Sequence, residues 1–276
     1  MRRGIWRVGD GHVMVLPVFR SPLSRRGFVA GASAVTLAAS ARIVRAQGRR
    51  ILIIGDSMIA GGFGLYLARD LQREDGYPTI RDGKASTGLA RPDFFDWPAR
   101  ARELVAEHGV CDATVVMLGG NDAQGLYLGK GAWIRFPEQP QWQKEYARRV
   151  VELCDIVAPG HEQIFWVGMP VMKPEKLHAK VQRINWICRA EMAIRPHALF
   201  VDIWRLLADE DGNYTDRVVI DGDGDGDADD GAGSKRRRGT RVRAGDGIHL
   251  SPAGSQYLAD YVRATVVDTL GRSTPP

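Results

Sequence analysis

The sequence predicts an α/β fold, a flavodoxin-like arrangement of a parallel five-stranded sheet covered by helices on both faces. Three observations predict it. Short apolar runs recur along the chain, the first and third of them stop at glycine, and helix-like segments separate them. Continuous rather than alternating apolar runs mark strands buried on both faces. Regular alternation of strand and helix marks a parallel sheet.

The elements follow in order. Ile51-Leu52-Ile53-Ile54 is the first strand, ending at Gly55, and Gly64 to Gln72 is helical after it. A second strand precedes Ser86-Thr87-Gly88-Leu89. Trp97 to His108 is a helix with Pro98 in its first turn and Gly109 as its stop. Ala113 to Leu118 is a buried strand closed by Gly119-Gly120. Gln141 to Val157 is an amphipathic helix that Pro159-Gly160 ends. Gln163 to Val167 is a strand, Glu175 to Ile194 a long helix, Leu199 to Asp202 the last strand, and Pro252 to Leu270 the closing helix. In such a sheet, ligands bind beyond the carboxyl ends of the strands.

Two segments interrupt the pattern. Gly125 to Pro140 is rich in Gly, Pro and aromatics and is expected to be a loop at the site end, part of a substrate wall. Residues 221–239 are low-complexity, acidic (DGDGDGDADD) and then basic (KRRRG), and are expected to be mobile. A calcium loop starting at Asp221 would need an acidic residue at its twelfth position, and Ala232 stands there.

Of 276 residues, 44% are apolar and 26% charged, a balance that excludes a mostly disordered chain and leaves room for one good-sized domain with a leader. The formal net charge of +5 is unevenly placed. Residues 1–46 hold eight arginines against Asp10, a local net of +7, so the rest of a chain of net +5 carries −2. The basic character belongs to the leader, and no nucleic-acid partner is expected. Ser24-Arg25-Arg26-Gly27-Phe28-Val29 forms a twin-arginine pattern, a mildly apolar stretch runs to Ala41, and Val44-Arg45-Ala46 offers small residues before Gln47. Residues 1–46 therefore read as an export signal, with Met14 a candidate start, and 47–276 as the mature domain in the periplasm or outside the cell. The apolar stretch is too short for a stable membrane span. Cys111, Cys154 and Cys188 are an odd number in apolar surroundings, and are expected to be buried free thiols.

Four small motifs lie at the predicted strand ends. Gly55-Asp56-Ser57-Met58 puts a serine at the turn after the first strand, where a cap role is the ordinary one. Gly88 stands after the second strand, where a backbone N–H is open to approach. Gly119-Gly120-Asn121-Asp122 follows the third and can supply a side-chain amide to an oxyanion. Asp246-Gly247-Ile248-His249 sits just before the last helix, with a gap that lets the carboxylate reach the imidazole of its own loop. Each alone is weak. Their order along one sheet edge is the signal.

With these four motifs the chain resembles the SGNH (GDSL-type) hydrolases over roughly residues 49–270. Lys84–Pro98 (KASTGLARPDFFDWP), Leu118–Leu126 (LGGNDAQGL) and Asp246–Gly254 (DGIHLSPAG) resemble a proteobacterial family of periplasmic SGNH proteins classed as a domain of unknown function. The resemblance implies a three-layer α/β/α sandwich. It implies Ser57 as nucleophile, Asp246 and His249 as the acid–base pair, and an oxyanion hole from Ser57, Gly88 and Asn121. Met58 stands where the family has leucine, at a packing position. No G-x-S-x-G elbow is present. The implied activity is ester hydrolysis on an acylated carbohydrate, such as an envelope glycan, or on a small ester. No metal or organic cofactor is implied. Acyl transfer with the same residues, and a silent glycan-binding module, are the alternatives. Arg91, Tyr127 and Trp133 are candidate substrate contacts, while Arg91, Arg241 and Arg243 read more readily as solvated loop charges. Oligomeric state has no signal in the sequence.

Overall fold

A computed structural model describes residues 48–136, 138–220 and 239–272. The described residues fall in one compact unit, Ile43–Pro276. The expected export signal (1–46) and nearly all of the low-complexity segment, with its calcium-like pattern, lie outside the described residues.

Within this unit the chain alternates as expected. The first half runs β1 (Ile51–Gly55), α1 (Ser57–Ala60), α2 (Gly62–Arg73), β2 (Thr79–Gly83), α3 (Trp97–His108), β3 (Ala113–Met117), β4 (Leu126–Gly129) and β5 (Ala132–Ile134). The second half runs α4 (Gln141–Val157), β6 (Gln163–Val167), α5 (Glu175–Ala193), β7 (Ala198–Val201), β8 (Arg217–Val218), β9 (Thr240–Arg241) and α6 (Pro252–Arg272). Five strands form one parallel sheet in the order β2-β1-β3-β6-β7. This is the flavodoxin-like order, with its switch point between β1 and β3.

The period of two along each strand splits the core into two layers. Ile51, Ile53, Val115, Met117, Phe165 and Val167 face α2 and α6, where Phe63, Leu67, Leu258 and Val262 meet them. Leu52, Ile54, Val116, Ile164 and Trp166 face α3, α4 and α5 and pack on Trp97, Trp142, Tyr146 and Ile187. Fully burying each such aliphatic side chain stabilises the fold by roughly 1.5–3 kcal/mol. Helix boundaries follow local chemistry. At α3 the Asp96 carboxylate accepts the Ala99 N–H at 3.0 Å, Pro98 occupies the first turn, and Gly109 ends the helix at φ +74°.

One segment departs from the expectation. Residues 125–140 are not a plain loop. β4 and β5 form an antiparallel hairpin that sets Leu126 opposite Ile134 and Tyr127 opposite Trp133. Gly129 and Gly131, with Lys130 between them, all take positive φ and make the tight connection.

Candidate active site

Because β1 lies between β2 and β3, its carboxyl end adjoins the strand ends that lead to Gly88 and Asn121. Ser57 opens α1 there, immediately after β1. The Asp56 carboxylate caps that helix by accepting the Met58 N–H at 3.0 Å, and the Asp56 N–H donates to the Met117 carbonyl of β3 at 3.2 Å. The first bond holds the turn itself and the second ties it to the neighbouring strand. Met58 is buried in the α2/α6 core, consistent with a packing position. Asp56 is buried, and burial pushes its carboxyl up to about 7, against the lowering effect of the Met58 N–H.

His249 reaches the serine from the loop before α6. Ser57 Oγ and His249 Nε2 are 2.8 Å apart, and His249 Nδ1 is 2.6 Å from Asp246 Oδ2. These partners select the tautomer with the proton on Nδ1, leaving Nε2 to accept from the serine hydroxyl. The other Asp246 oxygen accepts the N–H groups of Ile248 at 2.8 Å and His249 at 2.9 Å. Partial burial raises the Asp246 carboxyl, but the bonds from the His249 ring and these two N–H groups outweigh it and hold it at about 2. Gly247 makes the turn at φ +69°, and a Cβ there would meet the Lys173 Cβ at 2.3 Å. Both observations require glycine. The Asp246 and His249 side chains are 46% and 44% exposed, so water reaches this pair directly.

Gly88 and Asn121 come together where the loops after β2 and β3 meet. The Asn121 amide donates one hydrogen to the Thr87 carbonyl at 2.9 Å, which fixes the amide beside the Gly88 peptide and leaves its second hydrogen for another acceptor. A Cβ on Gly88 would lie 2.2 Å from Asp122 Oδ1. Asp122, named in the sequence only as Asn121's partner, thus explains why residue 88 must be glycine. Its buried carboxylate accepts the Ala90 N–H at 2.7 Å and the Tyr146 hydroxyl at 2.8 Å. Burial raises its pKa, and these bonds oppose the rise. Arg149, also buried, donates to the carbonyls of Leu89 and Tyr127, both at 2.6 Å. The amphipathic pattern placed Arg149 on α4 but gave no sign that it faces inward.

The candidate substrate contacts gather into a separate patch. The Arg91 guanidinium lies 5.1 Å from the Trp133 ring centre, and Trp133 is 4.9 Å from Tyr127. Arg91 is also held by Asp93 at 2.7 Å. The patch meets the Gly88 loop through the Tyr127 N–H, which donates to the Ala90 carbonyl at 3.0 Å. A cavity of about 420 Å³ lies beside it, lined in part by Gly88, Phe95, Tyr127 and Arg148, while Ser57, Asp246 and His249 do not border it. Arg241 is half-exposed, as expected of a loop charge. Arg243 is not. It is completely buried, because its guanidinium lies against the backbone carbonyls of Gly247 and Ile248, which corrects its reading as a solvated charge.

Cys111, Cys154 and Cys188 are free and buried, and burial pushes the Cys154 thiol up to about 12. Among the described residues, no group of three His, Cys, Asp or Glu could hold a metal ion. No helix among them is long and apolar enough to cross a membrane.

The profile of a family described as "Protein of unknown function (DUF459)" matches residues 50–265. No curated protein matches the chain. Solved structures share its fold at low identity. A carbohydrate acetylesterase family member from Sinorhizobium meliloti is 15% identical, with a TM-score of 0.53 over 81% of this chain and 99% of that one. LAE5, an alpha/beta hydrolase enzyme from the metagenome of Lake Arreo, Spain, is 18% identical, with a TM-score of 0.52 over 79% of this chain and 95% of that one. An acetyl esterase mutant with acetate ion is 10% identical, with a TM-score of 0.51 over 82% of this chain and all of that one.

Proposed function

We propose that this chain, which belongs to the DUF459 family, is a serine-dependent esterase that hydrolyses O-acyl esters. One observation carries the reading, the unbroken hydrogen-bonded chain from Ser57 Oγ through the His249 ring to Asp246, with links of 2.8 and 2.6 Å. A serine hydroxyl is a poor nucleophile until a positioned base takes its proton.

The steps follow from that geometry. Ser57 Oγ bonds to the ester carbonyl carbon while its proton passes to His249 Nε2. Asp246 holds the imidazole in place and stabilises its charged form. The oxyanion is met by the N–H groups of Ser57 and Gly88 and by the second hydrogen of the Asn121 amide. The Nε2 proton then goes to the leaving alcohol as the old C–O bond breaks. Water attacks the acyl-serine, gives its proton to Nε2, and a carboxylic acid leaves as Ser57 regains its hydrogen. Hydrolysis is favoured over acyl transfer by the near half-exposure of Asp246 and His249, since transfer requires water to be kept out.

The substrate in this reading is an O-acylated glycan of the cell envelope. Support comes from the aromatic patch of Tyr127 and Trp133 with Arg91 over it, a surface suited to stacking on sugar rings. The fold shared with a carbohydrate acetylesterase family member points the same way. The twin-arginine pattern supports export to that compartment. Turnover of p-nitrophenyl acetate tests the mechanism. Ser57→Ala is expected to abolish it without changing the circular dichroism spectrum. Activity equal to wild type in purified Ser57→Ala ends the serine mechanism.

A further inference from the structure

Arg243 is a fully buried cation with no carboxylate salt bridge among the described residues. Its Nη2 donates to the carbonyls of Gly247 at 3.2 Å and Ile248 at 3.1 Å, and lies 3.8 Å from Met172 Sδ. The guanidinium carbon sits 5.3 Å from the centre of the Tyr214 ring. Nε and Nη1 have no hydrogen-bond partner among the described residues. Burial lowers its pKa. Such a residue is a poor choice for stability alone, since an apolar side chain of similar volume would pack there without the desolvation cost.

What distinguishes Arg243 is the backbone it grips. Gly247 and Ile248 are the two residues between Asp246 and His249. Their turn is held from one side by Asp246, which accepts the Ile248 and His249 N–H groups. Arg243 holds the same turn from the other side, through its carbonyls. Arg243 and Leu250 also face each other as an antiparallel bridge, and the Ala244 N–H donates to the His249 carbonyl at 2.9 Å, closing the loop. The Lys173 N–H adds a third hold on Gly247 at 3.0 Å.

We infer that Arg243 is a positioning residue. Its guanidinium clamps the Gly247–Ile248 carbonyls so that the Asp246 carboxylate and the His249 ring stay in register with Ser57. The inference rests on the serine-esterase reading. A base displaced by about 1 Å can cost on the order of 10²-fold in rate with little change in binding.

The test uses the full chain with p-nitrophenyl acetate and the variants Arg243→Met and Arg243→Lys. Arg243→Met is expected to lower kcat by roughly 10- to 100-fold with KM within about twofold of wild type, and to slow labelling of Ser57 by a fluorophosphonate in parallel. The low-field proton resonance of His249 Nδ1–H is expected to broaden or shift. Arg243→Lys keeps one charged donor and is expected to recover part of kcat. Folded Arg243→Met with wild-type kcat and an unmoved imidazole proton overturns the inference. If Arg243→Met does not fold, Arg243→Lys decides: a lowered kcat at unchanged KM supports positioning, and a wild-type kcat overturns it. A wild-type protein that neither turns over nor labels defeats the esterase reading. An active wild type with equally active variants defeats only the clamp.

Discussion

The buried carboxylate beside Ser57 shows how one residue trades stability for geometry. Asp56 binds its proton far more tightly when folded, with a pKa of about 7 against the ordinary 3.8, because burial penalises its charge. A raised acid binds more protons in the folded state. Its contribution is therefore complete below about pH 4 and is lost as pH rises through 7. At about 1.4 kcal/mol per unit, the cost at alkaline pH is at most roughly 4 kcal/mol. Asp56→Asn keeps the oxygen that caps α1 and removes the charge. Urea denaturation is expected to find it more stable than wild type by roughly 1–4 kcal/mol at pH 8, with the gap closing towards pH 4. A gap of the same size at both pH values would mean that Asp56 does not titrate in this range. At this scale the candidate residues Ser57, Asn121, Asp246 and His249 were legible because the proposed chemistry needs those residue types at strand ends. Arg243 was not legible. Arginine is mostly exposed in proteins, and no local pattern in Thr240–Gly245 marks one as buried. Asp122 stood in plain view but looked like half of a turn.

Between α4 and the loop after β2, a buried network does what no single contact could. Arg149 bonds the carbonyls of Leu89 and Tyr127 and is paired with Glu145 at 2.8 Å. It ties the Gly88 loop, the β4–β5 hairpin and α4 together. Arg149→Met takes the donor from the Leu89 and Tyr127 carbonyls, while Glu145 keeps its pair with Arg148 at 2.8 Å. It is expected to destabilise the protein by roughly 3 kcal/mol in urea titration, and to lower esterase activity more than the unfolded fraction explains. Full activity at full stability would show that the loop holds itself. The central strands were readable because Ile51–Ile54 and Ala113–Met117 are buried on both faces and therefore apolar throughout but for Thr114. β2 was placed but not bounded, since Thr79–Gly83 (TIRDG) is a half-buried edge strand with a charged middle. The hairpin was missed for a related reason. Its strands are short, and glycine at both ends of the turn resembles loop composition.

Over the whole molecule the two halves of the charge pattern have separate meanings. The +7 of residues 1–46 falls on the proposed export signal, and the remaining −2 falls on the rest of the chain. Three buried free thiols are compatible with an oxidising compartment, because none is presented for pairing. N-terminal sequencing of the exported protein is expected to begin at Gln47, and a processed chain starting elsewhere would displace the proposed cleavage site. The parallel sheet in β2-β1-β3-β6-β7 order brings residues nearly two hundred positions apart to one edge. That convergence is the claim on which the functional reading stands. The most direct measurement is the intact mass and peptide map of the protein after reaction with a fluorophosphonate. One adduct per chain, on Ser57 and lost in His249→Ala, is the expected result. No adduct in folded wild type, or an adduct on another residue, contradicts it.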